Sequence, residues 1–99
     1  MTAPVTELIA FTIDTADASR LVRFYADLTG GEVAGEYPEW GYAQLSLGPH
    51  TVNFQTVASY AAPQWPGQDH PQQFHLDFRV ADLDQAVARA TELGAIVAA

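Results

Sequence analysis

The feature that most constrains the fold is a strand–helix pattern that occurs twice, 65 residues apart. In the first copy, residues 8–15 (LIAFTIDT) alternate apolar and polar side chains, as a β-strand requires, and Asp17 follows as a candidate helix N-cap. In the second copy, residues 74–80 alternate in the same way and Asp82 takes the place of Asp17. This recurrence predicts two copies of one structural unit.

Apolar residues at helical spacing follow each of these aspartates. The stripes consist of Leu21, Phe24, Tyr25 and Leu28 in the first copy, and of Leu83, Ala86, Val87, Ala90 and Leu93 in the second. Gln85, three residues after Asp82, completes a capping-box pattern. Gly30 and Gly94 predict the helix ends, because glycine readily adopts the left-handed conformation that ends many helices. Both stripes therefore predict amphipathic helices with one buried face.

Three further strands are predicted after the first helix, at residues 32–37, 40–47 and 50–57. The first module, about 8–58, is then βαβββ, and a linker rich in proline and glycine spans about 59–72. The second module, about 73–99, supplies a strand, a helix and one short strand at 95–98. We predict a single α+β domain over residues 1–99 whose second module is truncated after its helix.

Composition excludes several classes of function. Four arginines, no lysine and twelve acidic residues give a net charge of −8, so a basic nucleic-acid groove is not expected. The absence of cysteine removes disulfides, thiolate metal sites and cysteine nucleophiles. No stretch reaches the ~18 apolar residues of a membrane span, and no signal peptide is visible. We expect a soluble, cytoplasmic protein without nucleic-acid or membrane partners.

Three segments, "RFYADLTGGEV", "VNFQTV" and "WPGQDHPQQFHLDFRVADLDQAV", resemble the vicinal oxygen chelate superfamily, and its small glyoxalase-like proteins in particular. The superfamily includes glyoxalase I, extradiol dioxygenases and bleomycin-resistance proteins. The resemblance implies paired βαβββ modules whose strands form a curved, cupped mixed sheet, with helices on the convex face and a ligand on the concave face.

The same resemblance implies where a metal would bind, since metal-dependent members place one ligand on the first and one on the last strand of each module. Those positions correspond here to Ala10, Gln55 and His75, and the last strand of the second module is missing. Alanine cannot coordinate a metal, and a catalytic metal usually has about three protein ligands. His75 and Gln55 are thus the candidate ligands for a divalent Zn, Ni, Fe or Mn ion, in a site that is incomplete.

Polar and aromatic residues of the predicted concave face are the candidate ligand contacts: Trp40, Tyr42, Gln55, His75, Asp77 and Arg79. His75 is interpreted as a metal ligand, as a ligand contact without metal, or as structural filling. Arg79 either anchors a substrate carboxylate or pairs with a carboxylate such as Asp14, and Asp77 could act as a base. Trp40 and Tyr42 either line a pocket or pack at an edge.

The leading hypothesis is a glyoxalase- or bleomycin-resistance-like protein that binds a small molecule without a complete metal site, and acidity favours cationic or aromatic ligands. The alternative is a metal-dependent lyase, isomerase or dioxygenase acting on vicinal oxygens. A third hypothesis is a degenerate repeat kept for dimerisation. The sequence leaves open whether the protein is an enzyme. Because the truncated module exposes a strand edge, we expect a homodimer, either simple or with exchanged strands.

Overall fold

A computed structural model describes residues 4–71 and 74–98, and it divides the chain into two compact units, Met1–Ala58 (unit one) and Ser59–Ala99 (unit two). Unit one contains β1 (Phe11–Thr15), α1 (Ala18–Thr29), β2 (Glu32–Tyr37), a 3₁₀ turn (Pro38–Trp40), β3 (Tyr42–Leu47) and β4 (His50–Thr56). Unit two contains α2 (Leu83–Glu92). The predicted α+β class and the βαβββ order of the first module are confirmed.

The four strands form one mixed sheet in the order β1-β4-β3-β2. β1 pairs in parallel with β4, whereas β3 pairs antiparallel with both β4 and β2. A register shift between Val33 and Gly35 interrupts the β2–β3 pairing. The parallel β1–β4 pair requires a crossover, and the α1-β2-β3 segment supplies it.

Helix α1 begins and ends where the sequence predicts. The carboxylate of Asp17 accepts a hydrogen bond from the Arg20 backbone N–H at 3.1 Å, which satisfies a free amide of the first turn. Gly30 follows the last turn with φ 77°, and its N–H donates to the carbonyl of Ala26 at 2.8 Å. The β-hydroxyl of Thr56 also accepts from the Ala18 N–H at 2.9 Å, so the end of β4 is tied to the start of α1.

The core of unit one lies between α1 and one face of the sheet. Its buried residues are Ala18, Val22, Ala43, Leu45, Val52 and Phe54. Phe54 is fully buried, and its ring stacks on that of Tyr25 with the centroids 5.6 Å apart. Alternation along β3 and β4 thus directs every second side chain towards α1, as a sheet with one covered face requires.

Two strands of unit one begin later than the sequence pattern predicts. The strand predicted at 8–15 begins only at Phe11, which pairs with Val52 near the start of β4. The strand predicted at 40–47 begins at Tyr42, because Trp40 belongs to the 3₁₀ turn and Gly41 has φ 61°. A left-handed residue at this point turns the chain out of the extended conformation.

Unit two keeps the predicted helix but not the predicted strands. The carboxylate of Asp82 accepts from the Gln85 N–H at 3.1 Å, and Gly94 has φ 115° just beyond the helix. The structure assigns no strand to residues 74–80 or 95–98, so both strand predictions are wrong. The physical reason is pairing: β1 is a strand because β4 lies beside it, and the described part of unit two contains no counterpart of β4. Gln72, Gln73 and Ala99, where the predicted linker and module end, lie outside the described residues.

Across the residues that the structure describes, no helix combines the length and the apolar character that crossing a membrane requires.

Candidate functional site

The sheet face opposite α1, here called the open face, carries the side chains that could bind a ligand. Because directly paired residues share a face, the register across the four strands identifies its members. They are Thr12 and Asp14 on β1, Thr51, Asn53 and Gln55 on β4, Tyr42, Gln44 and Ser46 on β3, and Glu32, Gly35 and Tyr37 on β2. This face combines carboxylates, carboxamides, hydroxyls and tyrosines, whereas the core lies on the opposite face.

Aromatic residues form a continuous stack at the β2–β3 end of the open face. The ring of Tyr37 stacks on Trp40 with the centroids 5.7 Å apart and on Tyr42 with the centroids 6.1 Å apart. Trp40 is 70% exposed, so a large part of its surface remains available to a ligand. We call Tyr37, Trp40 and Tyr42 the aromatic platform.

A glycine lies next to the ring of Tyr37. A β-carbon added at Gly35 would approach the Tyr37 ring and its hydroxyl oxygen to 2.8–2.9 Å, which is closer than non-bonded atoms normally come. Gly35 therefore leaves the space in which Tyr37 folds back over its own strand. The sequence prediction did not include Tyr37, and the glycine two residues before it is the signal that could have found it.

Gln55 connects β4 to the platform. Its side-chain amide nitrogen lies 3.2 Å from each of three backbone carbonyl oxygens, those of Trp40, Gly41 and Thr56. These three carbonyl oxygens fix the orientation of the carboxamide. If the group were turned by 180°, its own oxygen would face them and be repelled. Gln55 was predicted as a ligand contact and metal ligand, and its observed contacts also give it a structural role in holding the 3₁₀ turn.

One buried carboxamide on the open face was missed by the sequence prediction. Asn53 is 9% exposed, and among the described residues its Oδ1 has no hydrogen-bond donor. In register, Thr12 lies on one side of it and Gln44 on the other. A polar residue between two core residues, Val52 and Phe54, was the signal in the sequence, since alternation directs it to the other face of the same strand.

The structure brings three of the predicted site residues together in unit one and places the other three in unit two. Trp40, Tyr42 and Gln55 meet at the platform, where Tyr42 pairs with Gln55. In unit two, His75 Nε2 lies 3.4 Å from Asp77 Oδ1, and the His75 side chain is 60% exposed.

The three interpretations of His75 stay predictions. Arg79, also exposed, lies in unit two, so its pairing with Asp14 of unit one also stays a prediction.

The described donors do not complete a metal site. Within residues 4–71 and 74–98, no group of three His, Cys, Asp or Glu side chains lies close enough to share an ion. Gln55 directs its nitrogen, which cannot coordinate a cation, at backbone carbonyls. The predicted divalent metal and the roles of His75 and Gln55 as its ligands stay predictions.

Comparisons with known proteins agree with this fold. The family model described as "Glyoxalase-like domain" matches residues 10–99. No curated protein matches the sequence. A solved structure from the mobile metagenome of V. Pseudocholerae superposes with a TM-score of 0.55 at 16% identity, over 97% of this chain and 73% of that one. The crystal structure of SMU.1112c gives a TM-score of 0.55 at 22% identity, over 91% and 76%. At these identities the two structures support the fold alone.

Proposed function

The chain belongs to the glyoxalase-like domain family, and on that premise we propose that it binds a planar aromatic molecule, preferably a cationic one, on the open face of unit one. The observation that carries the proposal is the aromatic platform, in which Tyr37 stacks on both Trp40 and Tyr42. Ligand sites combine aromatic walls with a few polar groups, and this face offers both.

The charges of the open face favour a cation. Asp14 lies in the same row of paired residues as Gln55, Tyr42 and Tyr37, and Glu32 lies on β2. None of the open-face residues named above is basic. A cation is also attracted to the π-face of tryptophan and tyrosine, so the platform and the carboxylates act in the same direction.

Arg23 of α1 does not offset this preference. Arg23 lies on the helix side of the sheet and donates to both carboxylate oxygens of Glu36 at 3.0 Å. The hydrogen bond with Glu36, together with the attraction of its negative charge, raises the pKa of Arg23 above its usual value. The positive charge of Arg23 is thus paired with Glu36 on the α1 side of the sheet. The net charge of −8 for the whole chain also attracts a cationic ligand.

The alternative function is a divalent-metal-dependent lyase, isomerase or dioxygenase with His75 and Gln55 among the metal ligands. Of its candidate ligands, Gln55 lies in unit one with its amide nitrogen bonded to backbone carbonyls, which leaves its side-chain oxygen as the atom that would coordinate an ion, and His75 lies in unit two. His75, Asp77 and Arg79 stay predicted ligand contacts, and the homodimer stays a prediction.

The two tryptophans, Trp40 and Trp65, allow a direct test. In a Trp65→Phe variant, Trp40 is the only tryptophan, and titration with the cationic acridine dye proflavine should quench its fluorescence saturably, because the dye stacks on the platform. The matched Trp40→Phe variant reports on Trp65, and its fluorescence should respond much less.

Two outcomes would contradict the proposal. Equal quenching of both tryptophans would show non-specific attraction of the dye to an acidic protein. Stoichiometric divalent metal in the purified protein, lost in His75→Ala, would favour the enzyme instead.

A further inference from the structure

Asn53 is the one open-face residue whose chemistry neither the fold nor the aromatic platform explains. Its side chain is nine-tenths buried, and its Oδ1 is shielded from solvent without a hydrogen-bond donor among the described residues. Buried polar atoms are almost always paired, because removing them from water without a partner is unfavourable. An apolar side chain of similar size, such as leucine, would avoid this cost, so packing alone does not account for an asparagine.

The neighbours of Asn53 do not supply the missing donor. Thr12 and Gln44 are its direct partners in register, yet neither donates a hydrogen bond to its Oδ1. Gln44 is half-buried, and its side chain takes part in none of the side-chain hydrogen bonds of the described residues. The side chain of Gln44 can therefore change rotamer without losing a hydrogen bond.

Asn53 lies close enough to the platform for its unpaired Oδ1 to contact a bound ligand. Asn53 is two residues from Gln55, and Gln55 is the direct partner of Tyr42. A diagonal pair of this kind lies about 7–8 Å apart between Cα atoms, which is within reach of aromatic side chains and of a molecule stacked on them. A ring resting on Tyr42 would direct one edge towards Asn53.

We propose that Asn53 Oδ1 accepts a hydrogen bond from an N–H at the edge of the stacked ligand, so that the site selects amino-substituted aromatic molecules over their N-alkylated analogues. This inference deepens the proposed function and rests on it. Because Oδ1 is shielded from water, a ligand without a donor leaves it unpaired, whereas a ligand with a donor gains a bond that water does not contest.

Two acridine dyes provide matched probes. Proflavine carries two primary amino groups, whereas in acridine orange the same groups are dimethylated and have no N–H. Both dyes have the same flat cationic ring with a protonated ring nitrogen, so both test the platform, and their difference tests whether Asn53 accepts a hydrogen bond from an exocyclic amino group. Affinities are measured by quenching of Trp40 in the Trp65→Phe background, which leaves the open face unchanged.

Asn53→Leu should weaken proflavine binding by roughly tenfold and change acridine orange binding by less than about twofold. The same substitution should raise the melting temperature, because it removes an unpaired polar atom. Asn53→Asp retains an acceptor and should keep the preference for proflavine. If Asn53→Leu does not fold, Asn53→Thr supplies a shorter polar group, and the preference should again fall.

The outcomes separate this inference from the proposed function. If neither dye binds saturably to Trp40, the proposed function and this assignment both fail. If both dyes bind and Asn53→Leu affects them equally, Asn53 has a structural role and the assignment alone fails. If the variant is more stable but dye preference is unchanged, Oδ1 makes no hydrogen bond to the bound dye, and the assignment is again overturned.

Discussion

Units one and two start from the same sequence pattern and reach different structures. Both contain an aspartate-capped helix, with Asp17 and Asp82 each accepting from a backbone amide three residues later at 3.1 Å. In unit one the helix covers a four-stranded sheet and buries Ala18 and Val22. In unit two the helix buries no residue, and the structure assigns no strand to residues 74–80.

The difference shows which parts of the pattern are locally determined. A helix satisfies its own backbone hydrogen bonds, so its position in the sequence can be predicted from a cap and an apolar stripe. A strand acquires its hydrogen bonds from a neighbour, and β1 has β4 in that place. The alternating pattern at 74–80 therefore shows only that the segment is compatible with a strand. Without a neighbouring strand to supply hydrogen bonds, the segment does not become one.

The largest expected contrast concerns two equivalent valines, Val22 on α1 and Val87 on α2. Val22 is fully buried, whereas Val87 is 40% exposed. Val22→Ala should lower the free energy of unfolding of unit one by roughly 2 kcal/mol, since two buried methyl groups are lost. Val87→Ala should change it by less than about 0.5 kcal/mol.

Urea unfolding followed by circular dichroism measures both valine variants. An equally large loss in Val87→Ala would mean that α2 buries its stripe in solution, for example against a second copy of the chain, and the contrast between the units would disappear.

Substitution of the two N-cap residues should lower stability less than Val22→Ala does, and by similar amounts in the two units. Asp17→Ala and Asp82→Ala each remove one side-chain bond to a helix amide, which typically costs about 1 kcal/mol. Amide hydrogen exchange distinguishes where that cost appears. Asp82→Ala should reduce protection within α2 only, whereas Asp17→Ala should reduce it throughout unit one, because α1 is part of the core there. Substitution by asparagine should retain most of the protection in both cases.

The smallest effect is expected from two arginine ion pairs. Arg23 joins α1 to Glu36 on β2, whereas Arg89 pairs with Glu92 within α2. Arg23, Arg89 and Glu92 are exposed and Glu36 is partly exposed, and ion pairs near the surface contribute little. Arg23→Gln should lower the melting temperature of unit one slightly, and the difference should vanish in ~1 M salt. A difference that persists at high salt would mean that the Arg23 side chain contributes packing and not charge.

Helices and the central strands of unit one could be predicted because each depended on short-range signals. Asp17, Gly30 and the alternation in β3 and β4 are signals of this kind, and each element appears within a few residues of its predicted position. The start of β3 was misplaced because Gly41 adopts a left-handed conformation, which the alternation of neighbouring residues does not encode. The strand at 74–80 was wrong because pairing is a property of two segments.

The candidate site was predictable only in part, for the same reason. Trp40 and Tyr42 attract attention by residue type, but Tyr37 joins them through register and through the space left by Gly35. The importance of Asn53 depends on an unpaired atom, which is visible only once its neighbours in space are known. Residues that stand out by type can therefore be found from the sequence, whereas residues that matter because of their neighbours in space cannot.

The hydrogen bonds of Gln55 have a consequence for how the site could change during evolution. They end on the main-chain oxygens of Trp40, Gly41 and Thr56 and do not depend on which side chain occupies position 40. The 3₁₀ turn can therefore stay in place while Trp40 is exchanged for another residue, and a single mutation could alter ligand preference without rebuilding the loop. Position 40 is thus a natural point for divergence among proteins that share this scaffold, and Gln55 is the residue that makes such divergence inexpensive.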